Sequence, residues 1–187
     1  MPVSDQVLLD LLSEMIAVER DGERLYAQLL TDAPPELHPK LIEYAEQSRR
    51  DGLVLEEAVR RLGGDPAYES PGADVVHQTT QAVLEATGRV RERRWMYQIL
   101  HLITFETRDR MIWEVLDELA DTLAPASREV VHTAATAVLS REALGAHDVD
   151  RNEERIWWAL DAMRLGLARE FGLEPPTGTR GRRRRRR

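Results

Sequence analysis

The chain contains no cysteine, which excludes disulfides, thiol nucleophiles and thiolate-held metals such as zinc ribbons or iron–sulfur clusters. Any metal must be held by oxygen and imidazole. Proline and glycine are scarce, 9 and 11 in 187 residues, so little interrupts long helices. Long apolar runs are missing too. Ile156-Trp157-Trp158-Ala159-Leu160 is among the longest and falls far short of the roughly 20 residues of a spanning helix, so no membrane span is expected. The N-terminus lacks a basic patch and carries Asp5, Asp10 and Glu14 inside its apolar pattern. A secretory signal is therefore not expected, and the chain is expected to stay in the cytoplasm.

What is present suits one well-buried core. Residues 1–172 are expected to form a single helical domain, and 173–187 a disordered arginine-rich tail. The formal charge of −7 hides an asymmetry, because Arg180 and Arg182 through Arg187 supply seven positive charges at the end. Without them 19 of the 26 basic residues face 33 acids, a formal −14. Such a body repels nucleic acid, and only the tail would attract it. No aromatic residue interleaves its charges, so it lacks the stacking platform of a single-strand binder.

Helical punctuation is clear. A first helix is expected from a Ser4 cap to about Leu30, stopped by Pro34-Pro35. A second carries Leu41-Tyr44-Ser48-Asp51-Leu55-Ala58-Leu62 and ends at Gly63-Gly64-Asp65-Pro66, with glycine for a left-handed cap. Residues 67–88 read as a long connection in which Asp74 caps a short helix through Val75, Thr79 and Val83. A third helix is expected from about Arg89 to Asp121. Pro125 then opens a fourth, continuing to about Val149. Asp150 and Glu153 have capping-box spacing for a fifth, with Ile156, Leu160, Met163 and Leu167 as its apolar stripe and Gly172 and Pro175-Pro176 as its stop.

Three apolar stripes are each interrupted by one acid: Glu19 in Leu12-Met15-Glu19-Gly22-Tyr26-Leu29, Glu106 in Ile99-Leu102-Glu106-Asp109-Trp113-Leu116, and Glu142 in Val131-Ala135-Val138-Glu142-Gly145-Val149. Steps of three and four put each acid in the middle of a core-facing helical face. Inward carboxylates on several helices are what a bundle needs to hold metal ions.

Two helical hairpins joined by a long crossover resemble the ferritin-like superfamily, in which a second helix commonly ends in a segment like Arg60-Arg61-Leu62-Gly63-Gly64-Asp65-Pro66. The resemblance covers roughly residues 4–150 and implies a ferritin-like four-helix bundle, here with an added C-terminal helix. It also implies a dimetal site built from one Glu on each of two helices and a Glu-x-x-His on each of the other two. Glu19 and Glu106 match the two single glutamates. Glu142 matches in level, but its i+3 neighbour is Gly145, with His147 five residues on. Counting back from the Gly63-Gly64 ending places Ser48 and Asp51 at the remaining Glu and His positions; the other pair, Glu46 and Arg49, is off the apolar stripe.

Two readings follow. In one, Glu19, Asp51, Glu106 and Glu142, with Asp109 beside them, hold iron or manganese for oxidoreductase chemistry or simple metal binding. In the other, the bundle is metal-free, its acids pair with arginine or titrate upward in burial, and it acts by association as a homo-oligomer or with a protein partner, through anchors such as Trp157 and Trp158. In the metal-free case Glu106→Leu is expected to be neutral or stabilising by about 1–4 kcal/mol, unless it strands a buried arginine.

Weaker motifs favour bland readings. Asp148-Val149-Asp150-Arg151-Asn152 resembles half a calcium loop, but Glu153 takes the glycine position and Ala159 that of the terminal glutamate. Glu129-Val130-Val131-His132 has ligand spacing but falls early in its helix, on the expected surface. Trp95, Trp113, Trp157 and Trp158 at helical spacing are expected to be core or interface anchors and not a cofactor box.

Overall fold

The computed structural model describes residues 5–90, 93–139 and 151–173. Regular structure among them is entirely helical: α1 (Asp5–Asp32), a 3-10 turn (Pro35–Leu37), α2 (His38–Arg61), α3 (Pro71–Gly88), α4 (Arg94–Ala120), α5 (Pro125–Leu139) and α6 (Arg151–Glu170). No helix among the described residues is long and apolar enough to cross a membrane.

The expected stops work as their chemistry requires. Leu62 caps α2, Gly63 takes φ +79°, and the amides of Gly63 and Gly64 donate to the carbonyls of Arg60 and Val59, both at 3.0 Å. That is the two-bond glycine ending of a helix. Gly172 ends α6 in the same way at φ +62°. Pro125 opens α5, and Arg128 ties the turn by donating to the carbonyls of Ala120 and Asp121.

The connection between the hairpins differs from the expected short helix. It contains all 18 residues of α3, capped by Ser70, whose side chain accepts from the Ala73 amide at 3.2 Å, and not by Asp74. Its buried face is Ala73-Val76-Thr80-Thr87, while Val75 is exposed. Ser70, one residue ahead of a proline at N1, is the better cap because its hydroxyl reaches the first turn.

Contacts between helices set their directions. Arg20 meets Glu56 whereas Gly22, further along α1, approaches Ser48, so α2 runs back along α1. Ser13 meets Ser70 and Asp21 meets His77, so α3 runs parallel to α1. Arg94 pairs with Asp32 and Arg108 with Glu14, so α4 runs opposite to α1. Both α5 and α6 lie along α2 and α4, at different levels. Val130 and Ala134 of α5 cluster with Ala58, and Val131 and Val138 with Trp113 and Leu116; Ala159 and Ala162 of α6 cluster with Tyr44, Trp95 and Ile99. α6 is thus part of the bundle wall, not an appendage. The expected extension of the fourth helix to Val149 falls outside the described residues.

This arrangement stacks two apolar clusters along the bundle. One is built from Leu25, Tyr26, Leu29, Leu41, Tyr44, Ile99 and Leu102, the other from Leu12, Met15, Leu55, Val59, Trp113 and Leu116. Each fully buried leucine in them contributes about 1.5–3 kcal/mol. Between them, in sequence and in space, come Glu19 of α1, Ser48 and Asp51 of α2, Glu106 and Asp109 of α4 and Arg155 of α6, all buried.

The buried face of α6 also differs from expectation. Ile156, Leu160 and Met163 are half-buried and Leu167 is exposed, whereas Arg155, Ala159, Ala162 and Gly166 face inward. Small residues let α6 approach α4 closely: a Cβ on Gly166 would sit 2.5 Å from Met96 Sδ and 2.6 Å from the Trp95 ring. The Met96 thioether can swing aside; the packed indole cannot. Gly166→Ala should therefore lose more to overpacking, about 1–3 kcal/mol, than the roughly 1 kcal/mol it gains in helix propensity. Gly88→Ala, with nothing within 4 Å of the added carbon, should be neutral or stabilising. Urea melts of the two variants check the contrast.

Candidate site: an arginine among buried carboxylates

The centre of the polar layer is Arg155, whose side chain is 2% exposed. Its Nη1 lies 3.1 and 3.2 Å from the two Glu106 carboxylate oxygens and 3.5 Å from Ser48 Oγ, and its Nη2 donates to Gln47 Oε1 at 3.2 Å. The guanidinium carbon is 5.9 Å from the Tyr26 ring centre and 5.4 Å from that of Tyr44, within cation–π range. The Tyr26 hydroxyl donates to Glu106 Oε1 at 2.6 Å. Four helices thus converge on one ion pair.

The electrostatics keep Arg155 charged. Burial works against the Arg155 charge, but the fields of Glu106, and then of Glu19 and Asp109, outweigh it and raise its pKa. Burial, followed by the Glu106 charge, lifts the Tyr26 phenol well above its ordinary value, so it stays a neutral donor. Burial raises Tyr44 as well, helped by Glu154. Hydrogen bonds to ionised partners are the strong ones.

Of the residues singled out by sequence, Glu19, Asp51 and Glu106 are all buried in this layer, with Asp109 beside them. Ser48 and Asp51 turn inward whereas Glu46 and Arg49 are exposed, which decides between the two α2 pairs. Glu142, Gly145 and His147 lie outside the described residues, as do Asp148 and Asp150. Trp95 and Trp113 are buried. Glu129 and His132 are exposed as expected. Trp158 packs edge-on against Tyr44 at 5.4 Å and belongs to the core, so of the two expected anchors Trp157, at 49% exposure, is the outward one.

Sequence reasoning passed over Arg155. Its signal was present: Arg155, Ala159, Ala162 and Gly166 recur at helical spacing, a small-residue face headed by one cation. The larger residues on the neighbouring stripe masked it.

The ligand set fits a dimetal centre poorly. A bridging carboxylate must offer its lone pairs to metal, and both Glu106 oxygens already accept from Arg155, one of them from Tyr26 too. A dication about 4 Å from the guanidinium would be repelled by about 8 kcal/mol even at an effective dielectric constant of 20. Among the described residues no group of three or more histidines, aspartates and glutamates is arranged to hold a metal ion.

A second polar junction lies between α1, α3 and α4. Asp21, buried on α1, is 3.0 Å from His77 Nδ1 on α3. His101 of α4 sits in the field of Asp21 with its ring edge-on to Phe105. Burial holds the His101 pKa below its ordinary value despite the opposing pull of Asp21. Comparison of the chain with protein-family models, with curated proteins and with solved structures returned no match.

Two predictions follow from these geometries. With Arg155 in place, the expectation that Glu106→Leu is stabilising reverses, because the substitution leaves a buried guanidinium without its carboxylate. Glu106→Leu and Arg155→Met should each cost about 3–5 kcal/mol, while the double variant recovers most of the loss. Additive losses in urea melts would show that the pair is not coupled. For His101 the native pKa lies below the unfolded one, so below about pH 6.5 the unfolded chain binds a proton that the native chain does not. Stability therefore falls as the pH drops through that range. His101→Gln should make the decline between pH 7 and pH 5 shallower, and parallel melting curves for parent and variant would contradict this.

Proposed function

We propose that the chain is a ferritin-like bundle in which Arg155 takes the place of the metal ions among the core carboxylates, and that it acts by protein–protein association and not by dimetal redox chemistry. The observation that carries this reading is the buried Glu106–Arg155 pair at 3.1 Å. The guanidinium carries one positive charge and neutralises Glu106 through hydrogen bonds. Buried pairs of this kind contribute less to stability than apolar packing does, and their documented use is to specify one arrangement of helices.

The hairpin directions, with α4 parallel to α2 and a crossover between them, support the ferritin-like assignment. Outward-facing apolar side chains support association: Trp157 on α6, and Tyr97, Leu100 and Met111 on α4, are each about half exposed. The alternative, an iron or manganese site on Glu19, Asp51, Glu106 and Glu142, requires Arg155 to leave the layer first.

Elemental analysis of the untagged protein, expressed with iron and manganese supplied, tests the reading. Substoichiometric metal is expected, with a thermal midpoint unchanged by chelator, since nothing linked to folding is removed. Two metals per chain, together with a midpoint that falls by many degrees in chelator, would overturn it.

A further inference from the structure

The helix α4 is apolar on two sides. Its inner face carries Ile99, Leu102, Trp113 and Leu116. Its outer face carries Tyr97, Leu100, Thr104, Thr107, Met111 and Val115, all exposed, although α1, α3, α5 and α6 all pack against this helix. These six recur in steps of three and four, so they form one stripe about 27 Å long. A helix with apolar residues all round is ordinarily covered all round.

We propose that a second copy of this chain covers the stripe, with the two α4 helices packed antiparallel about a two-fold axis between Phe105 and Glu106. The proposal builds on the association reading above and names its partner. Three features of the helix point to a copy of itself. First, the stripe is nearly palindromic: Leu100 and Met111 lie at equal distances on either side of that point, as do Thr104 and Thr107, and Tyr97 and Val115 match within one residue. A two-fold interface requires such self-complementarity, with residue i meeting j and j meeting i. Leu100 then packs on Met111 of the partner subunit, and Tyr97 on Val115 of the partner subunit. Second, the threonines fall at the axis, where small side chains let two helices approach most closely.

Third, the charges oppose the dipole of the helix. The first turn of α4 has no acid and its last turn no base. Instead Arg89 and Arg93 are exposed near its start, Arg93 paired with Glu170, while Glu114 and Asp121, with side chains 60% and 93% exposed and paired with Arg110 and Arg128, lie towards its end. This pattern is unfavourable for an isolated helix. In an antiparallel pair it becomes complementary, since the basic end of each copy lies along the acidic end of the other.

One helical face is at the small end of specific interfaces, so association in the micromolar range is expected. Sedimentation velocity of the full chain should show a dimer that grows with concentration across that range. Leu100→Glu with Met111→Glu should give a monomer of unchanged helicity. The absence of native cysteine permits a direct test of register. Chains carrying Thr104→Cys, mixed with chains carrying Thr107→Cys, should form the mixed disulfide at least about tenfold faster than Leu53→Cys chains, whose substitution is also exposed but on α2, because the axis holds the two thiols at high effective concentration. A chain that stays monomeric, a dimer that survives the double glutamate variant, or equal cross-linking rates at the two sites would each overturn the interface. Metal content of the same preparation keeps the two readings apart: a metal-free monomer counts against this interface alone, whereas a metal-loaded chain counts against the association reading.

Discussion

The Glu106–Arg155 ion pair is the constraint around which the helices are arranged. Its two members come from α4 and α6, Ser48 and Gln47 of α2 hold the guanidinium, and Tyr26 of α1 holds the carboxylate. Two charges buried together tolerate little displacement, because separating them by even a few ångströms leaves each desolvated without compensation. The apolar clusters on either side have no comparable directionality. They supply most of the stabilisation, while the layer between them sets the register in which α1, α2, α4 and α6 meet.

The close seating of α6 follows from the same constraint. For Arg155 to reach Glu106, the helix must approach α4, and Ala159, Ala162 and Gly166 provide the room. Aromatic side chains then close the remaining space: Tyr44 packs against Tyr26 and Trp158, and both tyrosine rings face the guanidinium. On the proposed reading, exchanging a metal for an arginine changes more than the ligand set. A metal draws ligands inward from every helix, whereas an arginine must be carried on one of them, and that helix must be thin on the side that carries it.

The surface has a related asymmetry. The helix α4 contributes Glu106 and Asp109 to the polar layer while its opposite side stays apolar. The proposed dimer places this helix, committed on both faces, at a junction between two bodies. The dipole-opposed charges at its two ends point the same way, since they are unfavourable alone and complementary in a pair.

Much of this was legible in the sequence. Glycine and proline placed the ends of α1, α2 and α6 and the start of α5, because left-handed caps and prolyl dihedrals are properties of single residues. Periodicity identified the inward faces of α1, α2 and α4 and found Glu19, Asp51, Glu106 and Asp109 on them. It failed on α3 and α6, where the inward faces are Ala73-Val76-Thr80 and Arg155-Ala159-Ala162-Gly166. Hydrophobic periodicity ranks faces by bulk, and these helices bury their smaller residues. Local chemistry thus determined the helices, their punctuation and the presence of carboxylates in the core. That Arg155 pairs with Glu106 was decided only by the tertiary structure, because Arg155 lies 49 residues from Glu106 and their meeting depends on how closely one helix can approach another.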